Sequence, residues 1–141
     1  MGRLVEARVF NLRTVADVDQ YTAAFSPDLL KVGDPVLCAD HRPVVIYPPD
    51  VADRLVRLFK TMNSRLYRVA ILVSRSNATL VMQLQRIVRE SANPSRRVFF
   101  DAVEAEQFLT PVLQTSERAR LHVFLNETND EGPPPPSKKS R

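Results

Sequence analysis

Short apolar runs alternate along this chain with stretches whose apolar residues recur every three or four positions. In residues 4–12, Val5, Ala7 and Val9 alternate with Glu6 and Arg8, the two-residue period of a strand. Thr14, with Asp17 three residues on, marks a helix start. Val15, Val18, Tyr21, Thr22 and Phe25 supply the stripe of that helix, which should stop at Ser26 and Pro27. Residues 35–40 (PVLCAD) predict a second strand, and His41, Arg42 and Pro43 a turn. Residues 44–47 (VVIY) predict a third extended piece, closed by Pro48 and Pro49.

The strongest helical pattern follows. Val51, Leu55, Leu58, Phe59 and Met62 share one face, with Asp50 as the expected cap. Spacing pairs Asp50 with Arg54 and Asp53 with Arg57. Residues 66–74 come next, and their centre, 69–73, is apolar on both faces, as suits a strand covered on two sides. Ser76 or Asn77 should cap a helix carrying Leu80, Val81, Leu84, Ile87 and Val88, broken at Asn93 and Pro94. Residues 97–100 read as another strand, and Asp101 with Glu104 as a capping box. Thr110 and Pro111 interrupt before a last helix with Leu121, Phe124 and Leu125 on its core side.

The order β-α-β-β-α-β-α-β-α-α predicts an α/β fold, with helices packed on a single mainly parallel sheet of about four to five strands. A chain of 141 residues makes one such domain, expected over 1–126. Residues 127–141 (ETNDEGPPPPSKKSR) carry no apolar residue able to join a core. They predict a disordered, Pro- and Lys-rich tail with a polyproline stretch.

Three stretches together resemble a known family. A strand ending at Asp40 precedes the well-patterned helix of residues 50–62, and the strand 68–73 leads into a helix. A strand ending Val98-Phe99-Phe100-Asp101 is followed by AVEAEQFL. The last is similar to the F-x-x-x-x-E-A-x-x-W-L ending of SpoIIAA-like, STAS-type domains, the superfamily of anti-sigma-factor antagonists. The resemblance covers roughly residues 5–110. It implies a cytoplasmic, bacterial regulatory module that binds other proteins and is not an enzyme. Such antagonists carry a phosphorylatable Ser at the start of the helix after the third strand. The matching turn here, residues 47–51 (YPPDV), has no Ser, Thr or Gly, and Asp50 stands there as a cap. A receiver domain is excluded by the absence of an acidic pair after the first strand and of a Lys after the last.

Composition narrows the chemistry further. One cysteine, Cys38, excludes an intrachain disulfide and a thiolate cluster. His41 and His122 form no metal-spacing pair, so neither metal nor cofactor is expected. Gly2, Gly33 and Gly132 are too scattered for a dinucleotide or phosphate loop. The apolar runs are too short to span a membrane, and the first residues lack a secretory core, which makes the cytoplasm the expected compartment. Cys38, Asp40 and His41 sit close enough to suggest nucleophile, acid and base. A buried apolar thiol and a satisfied turn are the preferred reading.

Charge is the most uneven feature. Residues 54–97 carry ten basic side chains against Glu90, a net +9, while the flanking segments are net acidic. Arg75 falls in a turn after the central strand, on the side of an α/β sheet where ligands sit. Arg86, Arg89, Arg96 and Arg97 are expected to gather at the strand-start edge, with Arg96 and Arg97 exposed. These five arginines form the expected contact for an acidic protein partner; a homo-oligomer is also admitted. Ser74 and Ser76, beside Arg75 and a helix start, are the candidate phospho-switch. The alternative is a basic binder of nucleic acid or a phosphate ligand, less favoured because aromatics are not interleaved with the arginines.

Overall fold

The structure, a computed structural model, describes residues 3–9, 11–31, 33–63 and 65–127. Residues 128–141, most of the expected tail, lie outside the described residues. Four strands, β1 (Leu4–Arg8), β2 (Val36–Asp40), β3 (Arg68–Leu72) and β4 (Arg96–Phe99), pair side by side in chain order, all parallel. Helices α1 (Val15–Leu30), α2 (Pro49–Met62) and α3 (Ala78–Ser91) connect them, and α4 (Ala102–Leu109) and α5 (Thr115–Glu127) follow the last strand across a 3-10 turn at Thr110–Val112. The fold is therefore α/β with a four-stranded parallel sheet.

Strand periodicity divides the core in two. Val5, Ala7, Leu37, Ala39, Val69 and Ile71 face one way and meet α1, α2 and α3. Val36, Cys38, Ala70 and Leu72 face the other way and meet α4 and α5. Both faces are covered, which is why residues 69–73 are apolar throughout.

Several local expectations hold. Thr14 Oγ1 accepts from Asp17 N–H at 3.1 Å and Asp17 Oδ2 accepts from Thr14 N–H at 3.2 Å, a reciprocal cap for α1. Asn77 Oδ1 accepts from Leu80 N–H at 3.2 Å and starts α3. Asp101 Oδ1 accepts from Val103 N–H at 2.9 Å and starts α4. Others are corrected. Helix α1 runs on through Pro27 to Leu30. The carbonyl that Pro27 cannot reach belongs to the exposed Ala23, where water can serve it. Pro48, not Asp50, occupies the N-cap of α2, and Asp50 Oδ1 accepts only its neighbour's N–H, from Val51. Arg54 pairs with Asp19 of α1 at 2.9 Å rather than with Asp50, and Asp53 pairs with Arg86 of α3.

Residues 44–47 are extended but join no sheet. Side chains satisfy their backbone instead. Val45 N–H donates to Asn11 Oδ1 at 3.0 Å, and Tyr47 exchanges two bonds with the Gln83 amide, at 3.0 and 2.7 Å. Asn77 Nδ2 donates to the carbonyls of Val44 and Val45. A backbone already satisfied by amides has no call for a strand partner. The YPPDV turn is thus preceded by a strap across α3, not by a third sheet strand.

Candidate functional site

At the strand C-termini, Arg8 and Asp40 are register partners closing β1 and β2. The Asp40 carboxylate is fully buried. It accepts from Arg42 N–H, Nε and Nη2 at 3.0, 2.9 and 3.1 Å, and from Arg8 Nε at 3.2 Å. Both guanidinium groups reach further: Arg8 Nη2 donates to Phe124 O at 3.0 Å and Arg42 Nη2 to Leu125 O at 2.8 Å. These are carbonyls of the last turn of α5, where cations complement the helix dipole. The Arg8 guanidinium also lies 4.4 Å from the Phe124 ring centre. One buried anion thereby fixes two cations that hold α5 against the sheet.

Cys38 shares the Asp40 face of β2 and is fully buried. Burial, then the charges of Asp40 and Glu6, push its thiol up, away from the reactive thiolate. His41 is 4% exposed, and burial pulls it down to about 4, against its ring's hydrogen bond to the Ala39 backbone carbonyl and the charge of Asp40. It lines the opposite face, beneath α1 and α2. The sheet therefore separates His41 from Cys38 and Asp40, the two residues with which its sequence spacing suggested a catalytic set.

The five arginines do not form one patch. Arg75, exposed, lies in the turn after β3 with its guanidinium 5.1 Å from the Phe100 ring centre. Ser74 and Ser76 flank it, their hydroxyls 2.8 Å apart. Arg86 is bound to Asp53 at 3.0 Å and to Glu90, four residues on, at 2.8 Å. Arg89 is exposed on the last turn of α3. Arg96 and Arg97, adjacent in a strand, point to opposite faces. Arg97 is exposed near the Phe108 ring on the α4 side. Arg96 corrects the expected exposure: it is only 3% exposed, with its guanidinium 4.4 Å from the Phe59 ring centre beside α2. Reversing its charge would therefore disturb the core, where a surface substitution was expected.

Arg96 has neutral partners only. Nη1 donates to Asn63 Oδ1 at 2.6 Å and to Ser91 Oγ at 3.3 Å. Burial lowers its pKa to about 10. Among the described residues it makes no ion pair, and its Nε has no acceptor. Two further buried polar atoms lack partners, His41 Nδ1 and Tyr47 Oη. An unsatisfied buried group costs about 1–3 kcal/mol, so three of them call for an explanation. All three residues line a single cavity of about 50 Å³ between the sheet and helices α1 and α2. Its remaining walls are almost wholly apolar, Leu37, Leu58 and Ile71 among them. Sequence reasoning missed this cavity. Strand alternation alone would have placed one arginine of residues 96–97 inward, but nothing local shows that no anion awaits it.

Among the described residues no group of three or more His, Cys, Asp or Glu side chains is placed to hold a metal ion, and no helix is long and apolar enough to cross a membrane. No protein-family model, curated protein or solved structure matches this chain.

Proposed function

We propose that the chain is a non-enzymatic, protein-binding regulatory module of the STAS-like type, which docks an acidic protein partner at the rim after β3. The observation that carries this reading is the pairing of a cation with exposed apolar surface. Arg75 stacks on Phe100 and, among the described residues, makes no ion pair. Across the rim, Asn77 and Gln83 tie the 44–47 strap to α3. The strap leaves Val45 60% and Ile46 49% exposed, and α3 leaves Met82 70% exposed. An exposed guanidinium on an aromatic ring, with exposed aliphatic and thioether side chains on the neighbouring strap and helix, is the composition of a protein interface rather than of a phosphate-tracking groove.

Ser74 and Ser76 supply the regulation. A phosphate on either would meet Arg75 and the first turn of α3, pairing the cation internally and removing it from the partner. The STAS-type identity rests on the order of elements and on the residues from Phe99 to Leu109.

Arg75→Glu tests the reading. In a comparative cross-linking pull-down from the source cell, it should lose an acidic protein that wild type retains, with an unchanged circular dichroism spectrum. Recovery of the same partner by both proteins would sink it. Nucleic acid in place of a protein, lost steeply as salt rises, would select the alternative.

A further inference from the structure

We infer that the cavity between the sheet and helices α1 and α2 binds a small monovalent anion, of chloride or formate size, on the Nε–Nη2 edge of Arg96. The site is separate from the Arg75 rim and does not depend on it.

The charge of the guanidinium selects an anion. Arg96 is 3% exposed, and its hydrogen-bond partners, Asn63 and Ser91, are neutral. Both bonds come from Nη1. The other edge, Nε with Nη2, is the fork that receives small anions, and its Nε is buried without an acceptor. The Phe59 ring, 4.4 Å away, offers the cation its π face but no formal charge. A buried charge is unfavourable unless an opposite charge pairs with it. Asp40, the other buried charge discussed above, is paired with both Arg8 and Arg42. Arg96 makes no ion pair among the described residues. A water at Nε would satisfy the donor and leave the charge; an anion satisfies both.

The size of the cavity sets the class of anion. Arg96 lines a space of about 50 Å³. One water takes up about 30 Å³ in the liquid, so this space admits an anion of about one to three heavy atoms and no hydrocarbon chain. Monovalency follows from the walls. Arg96 is the one charged group among the lining residues, and Leu58, Met62 and Val69 are typical of the rest. A second negative charge would have nothing to pair with. His41 and Tyr47 line the same cavity, their rings edge-on with centres 6.1 Å apart. The neutral His41 ring donates to the Ala39 carbonyl, which leaves Nδ1 as an acceptor. An acceptor suits a water and repels an anion, which places the anion at Arg96.

The test follows thermal unfolding of the full 141-residue chain at fixed ionic strength. Sodium gluconate, whose anion is too large for the cavity, is replaced stepwise by chloride, formate, acetate, propionate or butyrate. Chloride or formate should raise Tm by at least about 3 °C and saturate with concentration, as a ligand of the folded state does. The rise should fade along the carboxylate series and be gone at butyrate. Whichever of chloride and formate half-saturates at the lower concentration tells a halide site from a carboxylate site. Arg96→Met should abolish the rise, and Arg89→Ala, on the surface, should retain it. No rise over gluconate, a rise that does not saturate, an equal rise with butyrate, or a rise surviving in Arg96→Met would overturn the assignment and leave the cavity to water. Should Arg96→Met not fold, saturation and the size cut-off on wild type decide alone.

Discussion

Two buried charges sit at opposite ends and on opposite faces of one small sheet, and the protein treats them differently. Asp40 closes β2 with every approach filled by Arg8, Arg42 and a backbone N–H. Arg96 opens β4 with an aromatic ring, an amide oxygen and a hydroxyl around it and no anion among the described residues. Low dielectric strengthens a complete ionic network and penalises an incomplete one. The first charge therefore reads as architecture, because removing it would release a helix. The second stands apart, because the fold holds its cation with neutral groups and no ion pair among the described residues.

The comparison breaks most sharply at Asp40. Asp40→Ala leaves two facing, half-buried guanidinium groups and detaches the carbonyls of α5 from their anchor. The expected loss is about 3–5 kcal/mol in urea unfolding; a loss below 1 kcal/mol would show that the network is incidental.

A smaller effect separates His41 from its neighbour. Folding lowers its pKa from 6.5 to about 4, so between these values the unfolded chain binds the extra proton. Stability should fall as pH drops through that window, by about 3 kcal/mol in total. His41→Phe should flatten this part of the stability–pH curve while leaving the steeper loss at lower pH. There Glu117 is protonated: burial works against its charge, but the backbone N–H groups of Gln114, Leu4 and Arg3 outweigh that and hold its pKa down. Its contribution is present above the usual carboxylate range and is lost below it. An unchanged slope between pH 6.5 and 4 in His41→Phe would remove His41 from the account.

The smallest change is expected at Arg96. Arg96→Met should leave stability within about 1 kcal/mol of wild type, or raise it, since an unpaired buried cation is exchanged for an apolar side chain of similar length. Its former partners keep other bonds: Asn63 Oδ1 still accepts from Asn93 Nδ2, and Ser91 Oγ still donates to Val88 O. A loss of several kcal/mol would mean that Arg96 is architecture too, and the contrast with Asp40 would disappear.

The sequence made the layers legible because periodicity is a local signal. The stripe of α2, the two-sided apolar run of β3 and the cap at Asn77 all follow from neighbours within a few residues. Residues 44–47 misled because their β-branched composition says extended, while only the distant Asn11, Asn77 and Gln83 decide that they stay outside the sheet. The arginines misled for the same reason. A net positive segment gives a charge count, not the destination of each side chain. The fate of Arg96 depended on Phe59, Asn63 and Ser91 folding around it. Only the strand alternation that separates Arg96 from Arg97 was available beforehand.

The sequential strand order has a kinetic meaning. Each β-α-β step places a strand beside its predecessor in the chain, so the α1–α3 layer can assemble progressively from contacts of short loop length. The second layer cannot. Helix α5 returns to the first strand: Glu117 accepts the N–H groups of Arg3 and Leu4, and Phe124 O accepts from Arg8. A nascent chain that has not yet released residues 115–127 therefore exposes the apolar face of β1 and β2 that α5 later covers. Helix α5 is the clasp that ends this exposure.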